Sequence, residues 1–433
     1  MLHSRLFVKS KKELPEDEVS KNAILLHKAS FVYKEMSGVY TFLPMGLRVL
    51  NKIENLLRKH MDLVGTEIYL SSLAPKELWQ QTGRINEVDV LFKVSAANEN
   101  SKNKSNNEYI LNSTHEELVT PIAAHFAQSY KDFPVDHPLA FYQIQTKFRN
   151  EPRAKSGLLR GREFRMKDLY SFHLTKDDFE KYYESVKQSY INFFTDLQLG
   201  QDLYITSASG GDFTEQVSHE FQIMCDAGED TIYIDEASKN AFNKELVSTE
   251  NEIKFGVKFD ALEQVTACEV GNIFTLEDKF TKAFNLQYTN RDNKKELVPH
   301  MGCYGIGTTR IMGVMVEKFS DDSGMVWPKV VAPFDVEIVS LFKELGDDVY
   351  VESKSIYEKL KASYDCLLDD REISVGQKLN DADLYGIPVQ IIVGAKNLER
   401  GVVEVKVRKS GRILEVQLNE VESLLKTLWP EVF

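Results

Sequence analysis

Apolar residues recur at helical spacing over Leu47 to His60, where Leu50, Ile53, Leu56 and Leu57 share a stripe; Gly65 then separates that segment from the β-rich run Thr66 to Leu70. The pattern predicts a helix feeding a strand. Leu139 to Asn150 and Glu163 to His173 read as strands, joined by the basic stretch Pro152 to Gly161 with its two glycines, which predicts a long β-hairpin with a wide loop. Asn98 to Glu108 contains no apolar residue and reads as a mobile hairpin tip between Leu91 to Val94 and Tyr109 to Leu111. Lys181 to Phe194 is helical, and its aromatic stripe of Tyr182, Tyr183, Tyr190, Phe193 and Phe194 reads as packing. Residues 237–264 are polar and weakly periodic, as expected of a short inserted element. After Pro328 and Pro333 strands and helices alternate: Phe334 to Leu341, Asp365 to Asp369 and Pro388 to Val393 read as strands around the helical patterns Val351 to Ser363 and Gln377 to Tyr385. A separate α/β domain of residues 331–433 is expected behind a larger domain of residues 1–330.

Composition narrows the class. In 433 residues, 53 Lys plus Arg against 66 Asp plus Glu give a net charge of −13, which argues against a general coat for polyanions. The segment from Lys147 to Lys167 is nevertheless locally basic. No stretch approaches the ~20 apolar residues of a membrane span, and the charged N-terminal residues do not resemble a signal peptide. A cytoplasmic protein without membrane partners is expected. Cys225, Cys268, Cys303 and Cys366 lie far apart, with neither a disulfide framework nor zinc-ligand spacing.

Three segments carry candidate chemistry. If Arg149 and Glu151 sit on a strand, its period of two puts a cation and an anion on one face about 6 to 7 Å apart, able to hold a phosphate and an amino group together; simple cross-strand ion pairing is the competing reading. On the returning strand Asp168 shares parity with Phe164, Met166, Tyr170 and Phe172, so its carboxylate needs a partner. Gly302 to Arg310 followed by the apolar run Ile311 to Phe319 suits backbone approach to an anion at a helix start. Arg310 stands where a dinucleotide fingerprint needs glycine and suits a terminal phosphate better. Thr114-His115-Glu116-Glu117 reads locally as a helix start with a Thr cap, and His219 with Glu220 as a weak metal pair lacking a third ligand.

In this order the segments resemble class II aminoacyl-tRNA synthetases, specifically the bacterial-type prolyl enzymes, over nearly the whole chain. Leu43-Pro44-Met45-Gly46 through Pro75 is similar to motif 1. Arg149-Asn150-Glu151 with Arg160-Gly161-Arg162-Glu163-Phe164 is similar to motif 2, and Gly302 to Arg310 to motif 3. Thr114 to Glu117 and Ser218-His219-Glu220-Phe221 fall between them. Leu368-Asp369-Asp370-Arg371 and Gly386-Ile387-Pro388 resemble the shared anticodon-binding domain.

The resemblance implies an α+β catalytic domain on a mostly antiparallel sheet flanked by helices, then a smaller α/β anticodon-binding domain. It implies a proline–tRNA ligase acting as a homodimer on L-proline, ATP with Mg²⁺, and tRNA(Pro). ATP contacts would come from Arg149, Glu151, Arg160, Phe164, Gln222, Gly307 and Arg310, with Arg149 and Arg310 central to catalysis. Proline contacts would come from Thr114, Glu116, Arg149, Asp168, His173 and Cys303. Mg²⁺ would be held mainly through phosphates, with Glu220 the candidate protein ligand, and no zinc is expected. The large editing insertion of many bacterial relatives is absent, and Ser113 and Asn272 stand where relatives usually carry proline and histidine. A sister specificity and a synthetase-like binding protein are the alternatives; retention of Arg149, Arg160 and Arg310 speaks against the latter.

Overall fold

In the computed structural model, which describes residues 1–11, 18–105, 107–133, 138–209, 218–236, 238, 240–290 and 296–433, the alternating segments build a nine-stranded sheet. Its strands are β1 (Thr66–Glu67), β2 (Leu139–Phe148), β3 (Glu163–His173), β4 (Leu203–Ala208), β5 (Ser218–Met224), β6 (Asp230–Ile234), β7 (Ala241–Asn243), β8 (Glu263–Glu277) and β9 (His300–Gly307). They lie in the order β5-β4-β7-β6-β8-β9-β3-β2-β1, with β5 also pairing β8. β1–β2 and β4–β7 run parallel and the other pairs antiparallel.

The expected hairpin is β2–β3, in continuous register from Leu139 opposite Phe172 to Phe148 opposite Glu163. Regular pairing stops at Phe148, however. The Arg149 N–H donates to the Arg162 carbonyl at 2.8 Å and the Glu151 N–H turns back to the Arg149 carbonyl at 2.7 Å, just before Pro152. Arg149 and Glu151 are therefore placed by a tight turn and not by strand pleat, a correction to the parity expected from sequence. The segment 98–108 does join two paired strands, Phe92–Val94 and Tyr109–Leu111, but carries a short helix, Glu99–Lys104, whose cap is the Asn98 side chain accepting from the Ser101 N–H.

Helix α1 (Pro44–Met61) covers the first predicted stripe, and α2 (Glu116–Phe126) opens at His115. Thr114 does not cap α2 as expected; its hydroxyl donates to the Glu116 carboxylate at 2.6 Å instead. Helix α3 (Lys176–Asp196) is capped by Thr175, whose Oγ1 accepts from the Asp178 N–H at 3.2 Å, and has Asp177 and Asp178 in its first turn, favourable to the helix dipole. It buries all five aromatic residues of its stripe, each worth about 1.5 to 3 kcal/mol.

Strand pleat sorts the central residues into two faces. Lys167, Leu169, Ser171 and His173 on β3, with Tyr304 and Ile306 on β9, turn toward α3: Tyr182 meets the Tyr304 ring edge-on at 5.8 Å and the Lys167 ammonium lies 4.3 Å from the Tyr190 ring centroid. The other face carries Phe164, Met166, Asp168 and Tyr170 beside Gly307, Gly305 and Cys303. It is the face left for chemistry.

The C-terminal strands β10 (Val336–Ser340), β11 (Cys366–Asp369), β12 (Val389–Val393), β13 (Val402–Val407) and β14 (Ile413–Gln417) form a second sheet in the order β11-β10-β12-β13-β14. The first three are parallel, joined by the crossover helices α5 (Asp348–Leu360) and α6 (Val375–Tyr385); α4 (Thr308–Lys318) precedes the sheet in sequence. Val336, Ile338, Cys366, Leu368, Val389 and Ile391 pack one apolar face. The opposite face buries Glu337, Asp369 and Gln390.

Two compact units emerge, one comprising Met36–Val39 and Glu54–Val314, the other Met1–Glu35, Tyr40–Ile53 and Met315–Phe433. The cut thus differs from residue 330/331 by assigning residues 1–35, 40–53 and 315–330 to the unit of the α/β sheet. Specific contacts inside that unit account for it: Leu2 bridges Leu368, the Arg48 side chain pairs with Asp365, and Phe31 stacks on Trp327 at 6.0 Å.

Candidate active site

The open sheet face carries a cleft with about 520 Å³ of empty space, lined among others by Arg149, Glu151, Arg160, Phe164, Glu269, Gly305, Gly307 and Arg310. Asn272 packs close over Gly305, where a Cβ would sit 2.9 Å from its Oδ1. The Arg149 guanidinium lies 5.2 Å from the Phe164 ring centroid and has no hydrogen bond or ion pair with any described residue. Burial depresses its pKa, and Arg310 nearby depresses it further. Arg310 is fixed from below, Nε donating to the Leu159 carbonyl at 2.8 Å and Nη1 to the Glu269 carbonyl at 2.6 Å. An unpaired guanidinium facing a second cation is costly and is relieved by an anion.

Glu151 and Arg160, both expected from sequence to contact ATP, are paired with each other: Arg160 Nε and Nη2 both reach Glu151 Oε2 at 2.8 Å, while Nη1 reaches Glu229 at 2.6 Å. Gln222 and Glu220 stand on β5. Gln222 Nε2 donates to Glu220 and to Asp230, each at 3.0 Å, and Asn243 also donates to Glu220 at 2.9 Å. Asn272, opposite Glu220 in register, donates to Glu269 at 2.8 Å. Burial, then repulsion from Glu269, pushes the Glu220 carboxyl up to about 8.

That shift has a signed consequence. Because the folded form holds the Glu220 proton more tightly than the unfolded chain between about pH 4.5 and 8, ionisation costs stability progressively through that window. Glu220→Gln is expected to be more stable than the parent at pH 8, on the order of 1 to 2 kcal/mol, with the gap closing toward pH 5. Urea midpoints at the two pH values check it, and a gap independent of pH would contradict the charge account.

Thr114, Glu116 and Cys303 meet in a second cluster. The Cys303 thiol donates to Glu116 Oε1 at 3.2 Å, and Thr114 to Oε2. Burial, reinforced by Glu116, holds the thiol well above its ordinary pKa, so Cys303 is a thiol and not a thiolate. Tyr170, opposite Cys303 in register, accepts the His115 N–H at 2.9 Å. Arg149 feels the charge of Glu116, which places the two clusters side by side.

Asp168 finds the partner its apolar row demanded: Lys147 Nζ at 2.6 Å, with Gln143 Nε2 donating at 2.9 Å. Burial acts to raise this carboxyl, and Lys147, His115 and the Gln143 hydrogen bond together more than offset it. Burial and Lys147 together drive His115 down to about 3, so it is neutral, with Nε2–H donating to the Ser71 carbonyl at 3.0 Å and Nδ1 accepting from Lys147. His173 is not brought to this site. Its strand parity is opposite to that of Asp168, and it pairs with Asp178 and Ser171, each at 2.8 Å, against Phe179 and Tyr182.

Sequence reading missed Lys147, His115 and Arg84. Lys147 could have been found as the third member of the polar row Gln143, Gln145, Lys147. Arg84, buried against Glu116 at 3.4 Å and Glu117 at 2.9 Å, carried no local signal.

The chain matches the family model for the tRNA synthetase class II core domain (G, H, P, S and T) over residues 92–319, and that for the anticodon binding domain over residues 335–428. It is 34% identical over 437 residues to the proline–tRNA ligase of Anaplasma phagocytophilum (strain HZ), covering 97% of this chain and 98% of the relative. Against the proline–tRNA ligase of Brachyspira hyodysenteriae it is 30% identical over 583 aligned positions, covering 99% and 98%, so that longer relative carries segments with no counterpart here. Among solved structures it is similar to prolyl-tRNA synthetase from Cryptosporidium parvum complexed with L-proline and AMP, with TM-score 0.73 and 18% identity over 95% of this chain and 75% of the other. The Giardia lamblia prolyl-tRNA synthetase in complex with prolyl-adenylate gives 0.71 and 20% over 92% and 73%. At those identities the structural likeness speaks for the fold.

Proposed function

The chain belongs to the proline–tRNA ligase family of class II synthetases, and from that premise we propose how its own residues carry out the reaction. The ligase joins proline to tRNA in two steps. The proline carboxylate attacks the α-phosphorus of ATP, releasing pyrophosphate and leaving prolyl-adenylate; a terminal ribose hydroxyl of tRNA(Pro) then attacks the acyl carbon and releases AMP. Neither step needs a side-chain nucleophile, so catalysis rests on positioning and neutralising phosphate charge.

The observation that carries the residue assignment is the unpaired Arg149 guanidinium beside Phe164, between Arg310 and Glu116. In our reading Arg149 holds the α-phosphate and the proline carboxylate, Phe164 stacks on adenine, and Arg310 holds the γ-phosphate. Arg160 leaves Glu151 for phosphate, freeing the Glu151 carboxylate for the adenine amino group. Gly307 admits the nucleotide along the strand, and Gln222 orients Glu220. Glu116, Thr114 and Cys303 receive the proline ring and its secondary ammonium, with Asp168 as a further anion held in place by Lys147.

Mg²⁺ fits the residues present. Held mainly through the ATP phosphates, the ion would take Glu220 as its protein ligand, and a cation there would relieve the repulsion from Glu269 and Asp230 that helps raise the Glu220 carboxyl. When bound with ATP the ion neutralises phosphate charge. We further assign residues 1–330 to activation and 331–433 to the anticodon, in a cytoplasmic homodimer.

Pyrophosphate exchange with each of the twenty amino acids tests the reading: strong exchange is expected with proline, and silence with all twenty in a folded, ATP-binding protein refutes it. Because the chain lacks the large editing insertion, it is expected to leave alanyl-tRNA(Pro) intact at close to the uncatalysed rate. Rapid deacylation by this chain alone would overturn that expectation.

A further inference from the structure

The polar face of the α/β sheet holds a group of side chains that the aminoacylation reaction does not use. Glu337, in the middle of β10, is fully buried, and neither carboxylate oxygen has a hydrogen-bond partner among the described residues. Asp369, at the end of β11, shares its face, because Val339 pairs with Asp369 and Glu337 lies two residues before Val339. His3 arrives from the N-terminal turn His3–Leu6, is 1% exposed, and leaves Nδ1 without a hydrogen-bond partner.

One ligand atom from each of the three lies within 4.8 Å of the others. We propose that His3, Glu337 and Asp369 form a binding site for one divalent transition cation, of which Zn²⁺ is the representative, tying the N-terminal turn to the α/β sheet.

An unpartnered carboxylate in a fully buried position costs several kcal/mol unless it is protonated or paired with positive charge. The available cations are already committed. Arg371 binds Asp369 through Nε at 2.8 Å and Nη2 at 2.7 Å, and reaches Asp381 through Nη1 at 2.8 Å. The Lys378 ammonium donates to the Ser340 carbonyl at 2.6 Å. Burial, and after it the nearby Asp369, push the Glu337 carboxyl well above its ordinary range, whereas burial drives His3 down to about 4. A neutral imidazole with a bare Nδ1 is a metal ligand ready for use.

The donor set chooses the class of ion. One imidazole nitrogen with two carboxylate oxygens suits Zn²⁺ or Mn²⁺, and the nitrogen disfavours Mg²⁺ and Ca²⁺. Bonds near 2.1 Å put tetrahedral ligands about 3.4 Å apart, so side-chain adjustments of about 1 Å would close the site. The N-terminal turn is already held for this: Ser4 N and Oγ donate to the Asp370 carboxylate at 2.8 and 2.7 Å, and the Leu368 N–H donates to the Met1 carbonyl at 3.0 Å.

The test is metal binding and melting of the full chain, stripped with a chelator and titrated with Zn²⁺ alone, beside Glu337→Gln and His3→Ala. The parent is expected to take up one equivalent and to melt higher when loaded. Each variant should bind at least about 100-fold more weakly, since even a residue behind a ligand is worth 10- to 100-fold. His3→Ala removes a side chain near the chain end and keeps the test valid if Glu337→Gln misfolds. No stoichiometric uptake by the parent, or equal uptake by parent and His3→Ala, would overturn the proposal and leave Glu337 as a buried carboxylic acid.

Discussion

Arg149→Ala is expected to lower proline-dependent ATP–pyrophosphate exchange by about 10³- to 10⁴-fold, within the range for charged groups that clamp a transferring phosphoryl centre. The loss should fall on kcat and on kcat/KM together, since the developing charge on the α-phosphate is what the guanidinium meets. The same change should not lower the melting temperature. Arg149 makes no ion pair with a described residue, and burial and Arg310 both oppose its charge, so its guanidinium adds nothing to folding stability. A variant that exchanges at near-parental rate would refute the assignment. One that loses activity only by unfolding would refute the idea that Arg149 is tolerated for function.

Arg84→Met is expected to cost about 3 to 5 kcal/mol of folding stability at pH 8, the range for removing one partner of a buried ion pair. Arg84 is 1% exposed and lies among Glu116, Glu117 and the Trp79 and Phe280 rings, whose centroids are 5.4 and 5.2 Å from its guanidinium carbon. Without it two fully buried carboxylates face each other. Burial already pushes Glu117 up to about 7 while Arg84 opposes that rise. Its loss raises the folded pKa further above the unfolded value, so protonation on acidification relieves the variant. The deficit should therefore shrink between pH 8 and pH 5.5, read from urea midpoints, and an equal deficit at both would sink the electrostatic explanation. Exchange activity should fall as well, because Arg84 holds Glu116 in the second cluster of the site.

These two arginines also mark where sequence reading succeeds and where it stops. Arg149 could be picked out because it lies in a basic segment beside a hairpin turn, and such local patterns survive in a single chain. The hairpin β2–β3, the strand-to-helix unit around Gly307 and the alternating elements after Pro333 were legible for the same reason: periodicity of two or 3.6 belongs to neighbours in sequence. Arg84 meets Glu116 from 32 positions away, and no periodicity reports that. His173 was misplaced because its distance from Asp168 along the chain is odd, which the pleat turns into opposite faces of β3. Glu151 was placed beside Arg149 for a reason the turn at Arg149 replaces. Hairpin register sets Gln143 opposite Asp168 and Lys147 opposite Phe164, four residues along the same face, so the Lys147–Asp168 contact needs a long side chain as well as a register that depends on where a wide loop closes.

The clasp between the N-terminal turn and β11 sets a timetable for assembly. Ser4 and Asp370 are 366 positions apart. At the ribosomal pace of about 5 to 20 residues per second, on the order of 20 to 70 s pass between synthesis of the two. Throughout that interval Leu6 and Leu26, buried in the finished protein, belong to a segment whose sheet does not yet exist. The unit made of Glu54–Val314 needs no such late-made strand, and is free to close first. Residues made early in this stretch of chain are thus among the last to find their places.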